Sequence, residues 1–140
     1  MDLKDWKKLA EHEIYQYRAN QAYVQAILDC GKLKGGEKMY HCAKWVLAVE
    51  YAESYLKKRD PLKARFFSSL YGLDGTRRRG SEARTIIALS IELDTSTATL
   101  YRWKNEALSL VLLAAAQTGA LRPYTIDVQP PQARDQANQS

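Results

Sequence analysis

Proline and glycine divide this chain into long stretches that contain neither residue, such as residues 2–29 and 37–58. Both residues disfavour the interior of a helix, because proline lacks an amide hydrogen and glycine loses much conformational entropy on folding. Within these stretches, apolar residues recur every three or four positions, which is the period of an amphipathic helix. The longest stretch with a strand-like pattern is residues 124–128. We therefore predict an all-α fold.

The amino-terminal part of the chain is predicted to be a pair of helices. Residues 2–29 are expected to form one long helix, and residues 37–58 a second. The glycine-containing segment 30–36 between them favours a turn. Helices with apolar seams and a short connection pack antiparallel, so residues 1–59 are predicted to form a helical hairpin. The predicted seam residues are Leu3, Ala10, Ile14, Tyr17, Val24 and Leu28 in the first helix, and Cys42, Trp45, Val49, Ala52 and Leu56 in the second.

Residues 60–121 are predicted to form a three-helix region packed on the hairpin. Each helix follows a residue type that commonly caps helix amino termini, and the first also has Pro61 at its first position. From residue 122 onward, proline, glutamine and asparagine dominate without periodicity, so 122–140 is expected to be a disordered tail. The caps are Asp60, Ser81 and Ser96, and the helices are 61–71, 82–93 and 97–118. The predicted inward residues are Leu62, Phe66, Phe67 and Leu70, then Ile86, Ile87, Leu89, Ser90 and Leu93, then Leu100, Trp103, Ala107, Val111 and Ala114.

The last two predicted helices are separated only by the short turn Leu93-Asp-Thr95. Small or apolar residues stand where the two helices must cross, and Ser96 can cap the second helix. A tight crossing, a short turn and a capped second helix are the requirements of a helix-turn-helix, whose second helix lies in the major groove of DNA. The sequence therefore predicts that helix 97–118 binds double-stranded DNA.

The outward face of helix 97–118 carries residue types that suit DNA. Arg102 can form two hydrogen bonds with guanine and Asn105 two with adenine, while the small Ala98 would let the helix enter the groove. Hydroxyl and amide groups at the start of the helix favour a phosphate contact. The alternative is that Arg102 and Asn105 are ordinary exposed helix residues. The predicted DNA-binding residues of this region are Thr95, Ser96, Thr97, Ala98, Thr99, Tyr101, Arg102 and Asn105.

The net charge of +5 is concentrated in one part of the chain. Residues 1–56 hold eight basic and eight acidic side chains, whereas residues 57–121 hold eleven basic and six acidic ones. The positive excess thus coincides with the predicted helix-turn-helix, as attraction to phosphates requires. Between two glycines, Arg77, Arg78 and Arg79 form either a further phosphate-binding loop or a run of solvated charges.

No enzymatic activity, metal site or cofactor is predicted for this chain. The soft metal ligands are His12, His41, Cys30 and Cys42, and their spacing fits no zinc motif. The chain has no glycine-rich phosphate loop preceded by a strand, and no nucleophile elbow. No apolar run approaches the roughly 18 residues that a membrane span needs, so no membrane partner is expected. With no signal-peptide pattern and two cysteines, a cytoplasmic location is expected.

Residues 93–108 also resemble a known family. They run Leu93-Asp-Thr-Ser-Thr-Ala-Thr-Leu-Tyr-Arg-Trp-Lys-Asn-Glu-Ala-Leu108, and are similar to the carboxyl-terminal motif of RinA- and ArpU-like phage transcriptional regulators. The helix-turn-helix of that family is similar to the fourth region of the primary bacterial sigma factors. The resemblance implies a DNA-binding activator of phage late genes, which is often encoded beside packaging genes. This chain departs from the family pattern at Asp94, where many such motifs have glycine, and at Arg84-Thr-Ile-Ile87, which replaces Glu-Ile-Ala.

Two other functions remain open at this point. A small phage packaging protein, like the small subunit of a terminase, would also join a helix-turn-helix to oligomerising helices. A helical interaction module would keep the fold without binding DNA. RNA polymerase and a second copy of the chain are further candidate partners. The apolar stretch Leu108–Ala116 exceeds what one helix face requires, so it is either buried within the monomer, which we favour, or part of a homodimer contact.

Overall fold

The computed structural model describes residues 2–30, 36–75 and 80–121, and every regular element in these ranges is an α-helix. The prediction of an all-α fold is therefore confirmed. The predicted tail 122–140 and the predicted loop residues Arg77, Arg78 and Arg79 lie outside the described residues. The helices are α1 (Leu3–Tyr15), α2 (Tyr17–Asp29), α3 (Gly36–Arg59), α4 (Pro61–Tyr71), α5 (Glu82–Glu92) and α6 (Thr97–Thr118).

The prediction of a single helix over residues 2–29 is wrong, because the helix is interrupted at Gln16. The backbone of Gln16 has φ −86° and ψ 0°, outside helical geometry. The hydrogen bonds continue across the break, since the Gln16 amide donates to His12 and the Asn20 amide donates to Gln16. α1 packs mainly on α6, whereas α2 packs on α3. Packing on two different partners is the physical reason for the break, and it needs neither proline nor glycine.

α2 and α3 lie antiparallel along each other. The phenol of Tyr17, at the start of α2, donates a 2.7 Å hydrogen bond to Glu50 in the second half of α3. Farther along α2, the Tyr23 ring lies below the ammonium group of Lys38, which is near the start of α3. The predicted pairing in the amino-terminal part is therefore made mainly by α2, whereas α1 contacts α3 less and packs mainly on α6.

α3 and α6 form the most extensive pair of helices and hold the centre of the core. Two contacts show that they run antiparallel. The hydroxyl of Thr118, at the end of α6, donates to the carbonyl of Lys44 in the first half of α3. Ser109, in the middle of α6, lines one groove with Tyr55 near the end of α3. The predicted inner seam of α3 is buried at Trp45, Val49, Ala52 and Leu56, and Cys42 is partly buried.

The apolar stretch Leu108–Ala116 is mostly used within the monomer, as favoured from the sequence. Leu108, Val111, Leu112, Ala114 and Ala115 are buried, where α6 contacts α1 and α3. Ser109, Leu113 and Ala116 are exposed, and 60% of the surface of Leu113 is accessible.

α4, α5 and α6 contact one another pairwise and form a three-helix unit. Leu89, Leu100 and Phe66 are almost fully buried in it, and the Phe66 ring meets the Trp103 ring edge to face at 6.1 Å. Some predicted inward residues are exposed instead. The prediction was wrong for Ile87 and Leu62 in this unit, and for Leu3 and Leu28 in α1 and α2. On α5, Thr85 is buried although it was not among the predicted inward residues, and its hydroxyl donates a hydrogen bond to the Ser81 carbonyl.

The predicted helix starts agree with the cap geometry. Asp60, Ser81 and Ser96 each accept a hydrogen bond from the amide three residues later, which satisfies an amide that the first helical turn leaves free. α4 ends at Gly72, whose φ of 67° lies in the left-handed region that glycine adopts without strain.

Candidate nucleic-acid interface

The turn between α5 and α6 is closed by two backbone hydrogen bonds. The Thr95 amide donates to the Ser90 carbonyl at 3.0 Å, and the Asp94 amide donates to the Ile91 carbonyl at 3.3 Å. This is the Schellman arrangement of a helix carboxyl terminus. It requires a left-handed backbone conformation at the residue directly after the C-cap Leu93. Asp94 has φ 51° and occupies that position. The hydroxyl of Thr95 donates to the Leu93 carbonyl at 2.9 Å and adds a side-chain tie.

Ser96 links the turn to the start of α6. Its hydroxyl accepts a 3.2 Å hydrogen bond from the Thr99 amide and donates a 2.9 Å hydrogen bond to the Thr99 hydroxyl. Thr97 and Ala98 are exposed at this end of the helix. The first amides of a helix have no intrahelical acceptor and carry part of the positive end of the helix dipole. This end of α6 therefore has the chemistry of an anion-binding site.

The two predicted faces of α6 are separated by burial. Ala98, Arg102 and Asn105 are exposed on one side, and each lies about one helical turn after the one before it. On the opposite side, Leu100 and Ala107 are buried in the core. Tyr101 is exposed and Thr99 half-buried at the edges of the exposed stripe, and Thr95 is half-buried in the turn. The structure thus brings the predicted residues of positions 95–105 together on one exposed surface.

Lys104 is a residue of the motif whose role sequence reasoning missed. Its ammonium group lies 2.8 Å from one carboxylate oxygen of Glu82 on α5 and 3.2 Å from Glu11 on α1, and its side chain is only 16% exposed. The same carboxylate of Glu11 accepts a 2.6 Å hydrogen bond from the Tyr71 phenol on α4. Lys104 therefore joins α6 directly to α1 and α5, and through Glu11 to α4. A signal existed, because Lys104 stands one turn from both Leu100 and Leu108, which lie on the inner side.

The pKa values in this cluster follow from burial and from the carboxylates. Burial raises the pKa of the Tyr71 phenol, and its hydrogen bond to Glu11 raises it further. For Lys104, burial by itself lowers the pKa, but the hydrogen bond to Glu82 and the charges of Glu11 and Glu82 outweigh burial, so that the pKa is raised. Lys104 is therefore a permanently charged structural cation at neutral pH, and it faces the protein.

A second ion pair holds the opposite side of α6. Lys63 on α4 lies 2.7 Å from Glu106, and its ammonium group is 5.9 Å from the centre of the Trp103 ring. Lys104 on α6 and Lys63 on α4 are thus both paired with carboxylates of the same molecule. Arg102 and Arg84 are exposed basic side chains of the α5–α6 unit, and Asp94 is exposed at the turn between these helices.

The structure shows no arrangement suited to metal binding among the residues it describes. No group of three histidine, cysteine or acidic side chains is placed to hold a metal ion within 2–30, 36–75 and 80–121. Cys30 is exposed, and burial raises the pKa of the partly buried Cys42 thiol, assisted by the charge of Glu13. None of the helices in the same ranges is long and apolar enough to cross a membrane.

Comparisons with known family models, curated proteins and solved structures found no match to this chain. The resemblance of residues 93–108 to RinA- and ArpU-like regulators therefore stays a prediction from the sequence.

Replacing Lys104 with methionine should lower the free energy of unfolding by about 2 kcal/mol, because Glu11 and Glu82 lose their counter-charge in a partly buried place. Methionine keeps most of the apolar stem, so lost packing contributes little. The matched control is Lys57→Met, since Lys57 is 65% exposed and its distance to Glu53 is 3.9 Å; we expect a loss of less than about 1 kcal/mol there. Urea unfolding followed by circular dichroism measures both, and equal losses would contradict the role of Lys104.

Tyr71 should make the protein lose stability in alkaline solution. Its pKa in the folded protein is raised above the ordinary value of 10.0, so the unfolded chain loses this proton first. The stability that the protonated phenol contributes is complete below the ordinary pKa of 10.0 and is lost as the pH rises above it. Above pH 10, the unfolding free energy of Tyr71→Phe should fall less steeply with pH than that of the unchanged protein. The two slopes should differ by about 1.4 kcal/mol per pH unit. The same change at the exposed Tyr101 is the control, and identical slopes in the two variants would refute this assignment.

Proposed function

We propose that this protein is a sequence-specific transcriptional regulator that places the amino-terminal half of α6 in the major groove of double-stranded DNA. The observation that carries this proposal is the turn at Asp94 followed by the capped, exposed start of α6. A helix-turn-helix needs both features, because its second helix must leave the first at a fixed angle and present its first turns to the base edges.

The support of α6 agrees with this role. The carboxyl-terminal part of the helix is buried against α3, and the ion pairs of Lys104 and Lys63 hold the middle of the helix from two sides. A recognition helix must be held rigidly, because misplaced hydrogen-bond donors lose most of their discrimination between bases. The exposed stripe at Ala98, Arg102 and Asn105 stands on that rigid support.

The residue types of the exposed stripe favour recognition of specific bases. The guanidinium of Arg102 can donate two hydrogen bonds to guanine, and the amide of Asn105 can both donate to and accept from adenine. The hydroxyls of Thr95, Ser96 and Thr97 and the free amides beside them suit one phosphate of the DNA backbone. Base contacts and phosphate contacts are thus offered by adjacent turns of one helix.

The regulatory part of the proposal rests on the resemblance of residues 93–108 to RinA- and ArpU-like proteins. In that reading the target is a phage promoter for late or packaging genes, and RNA polymerase is a further partner.

The alternatives to a transcriptional regulator give different results in solution. A packaging protein of the terminase small-subunit kind would assemble into large rings, and an interaction module would not bind DNA at low salt.

The decisive experiment is the selection of bound fragments from a randomised duplex library, followed by titration of the selected duplex. We expect one preferred sequence, whose affinity falls by several powers of ten for a tenfold rise in salt concentration, because several phosphate contacts release counterions. Binding that has no sequence preference would leave a non-specific DNA-binding protein, and the absence of binding at low salt would refute the proposal.

Arg102→Ala should weaken binding to the selected duplex by about 10- to 100-fold, the loss of one bidentate base contact. Arg102→Lys keeps the charge but replaces the planar, rigid guanidinium with a single flexible ammonium group, so it should keep binding to unrelated DNA and lose part of its preference for the selected sequence. The control is Lys8→Ala, which removes an exposed cation from α1. Fluorescence anisotropy measures all three, and an unchanged preference in both Arg102 variants would contradict recognition by this residue.

Asp94→Asn should strengthen DNA binding several-fold, because it removes a negative charge from the turn that faces the phosphates in our proposal. Asparagine also tolerates the left-handed conformation, so the stability should change little. Asp94→Ala removes the same charge but should cost about 1 kcal/mol of stability, since alanine is strained at this φ. Anisotropy and urea unfolding separate the two effects, and an unchanged affinity in Asp94→Asn would place the turn away from DNA.

A further inference from the structure

α3 carries a second apolar seam on the side that faces solvent. Exposed tyrosine and leucine side chains recur there at helical spacing, and we call them the outer seam. They are Tyr40, Leu47, Tyr51 and Tyr55. With Glu37, Lys44 and Lys58, the outer seam has a residue at every third or fourth position, which is the spacing of one helix face.

The outer seam is separate from the inner seam of α3. Leu47 lies two residues after the buried Trp45, and this places it about 200° around the helix axis. Trp45 and Val49 are covered by other helices, while 56% of Leu47 and 53% of Tyr51 are exposed. A helix that is apolar on two sides is expected to be covered on both. Within the described residues, only one side of α3 is covered.

The exposed apolar surface continues from the outer seam onto α6. Tyr55 and Leu113 line one groove of about 350 Å³, and Leu110 forms part of its floor. The exposed surface of the four outer-seam residues and of Leu113 adds up to roughly 500 Å². This takes a fully exposed side chain of this size as about 200 Å². That is near the upper end for the largest patch of a monomer, and it could form the apolar centre of an interface of about 800 Å² per partner.

We propose that the outer seam binds a second copy of this chain, with the two α3 helices antiparallel. The charges that flank the seam determine the orientation, since Glu37 stands one turn before Tyr40 and Lys58 one turn after Tyr55. An antiparallel copy brings each Glu37 near the partner's Lys58, whereas a parallel copy would bring like charges together. The antiparallel arrangement also opposes the two helix dipoles favourably.

The sequence of the seam sets the register of this pairing. A two-fold axis between Leu47 and Tyr51 packs each Leu47 against the partner's Tyr51. The same axis brings Tyr40 opposite the partner's Lys58, where the ammonium group can lie over the ring. The contact is isologous, as a two-fold dimer requires, because Leu47 of each copy meets Tyr51 of the other.

The test is sedimentation equilibrium of the full chain in the absence of DNA. We expect a dimer at micromolar concentration, and Leu47→Glu should weaken dimerisation at least 100-fold. Leu3→Glu is the matched control, because Leu3 is 63% exposed on α1 and lies outside the seam; it should dimerise like the unchanged protein. Circular dichroism shows whether each variant is folded. A monomer at all concentrations, or equal weakening by the two variants, overturns the proposal.

Charge reversal tests the antiparallel orientation. Glu37→Lys and Lys58→Glu should each weaken the dimer several-fold, and the double variant should recover most of the affinity. Additive losses in the double variant overturn the antiparallel register. Assemblies larger than a dimer overturn the two-fold contact. Because no DNA is present, a failure here leaves the proposed DNA binding untouched, and a failure to bind DNA leaves the dimer untouched.

Discussion

The ammonium group of Lys104 connects elements that are far apart in the chain. It pairs with Glu82 on α5 and with Glu11 on α1, and Glu11 also accepts the hydrogen bond of Tyr71 on α4. This cluster ties α6 to α1, α4 and α5, because a cation in a partly buried place is stable only where carboxylates meet it. The pair of Glu11 with Lys104 also joins α1 to α6, whereas α2, beyond the interruption at Gln16, packs on α3.

α6 has two parts with different tasks along its length of 22 residues, which is about 33 Å. Its carboxyl-terminal half belongs to the core and lies along α3. Its amino-terminal half extends from that support and exposes small, hydroxyl-bearing, basic and amide side chains. One rigid helix thus joins the proposed DNA-reading surface to the helix that carries the outer seam. Contacts made at α3 would therefore orient the surface at Arg102 without any flexible joint between them.

Local rules were sufficient for much of the fold. The starts of α4, α5 and α6 follow from the capping residues Asp60, Ser81 and Ser96, because a cap acts within one turn of its own helix. The inner and outer faces of α6 follow from helical periodicity, because a strong apolar stripe has one way to face the core. The errors occurred where periodicity was ambiguous. On α5, Ile87 is exposed and Thr85 is buried, since the hydroxyl of Thr85 is satisfied by the Ser81 carbonyl and can be covered.

The sequence by itself determined the all-α class, the helix boundaries after residue 60 and the residues that share the exposed side of α6, since these depend on interactions within a few residues. Only the tertiary structure decided that the first helix is interrupted at Gln16, that Lys104 faces the protein and that, among the described residues, α3 is covered on one side only. Each of these depends on contacts between residues far apart in the chain. Neither hydrophobic periodicity nor capping carries information about which helices become neighbours, because both act along the chain and not across it.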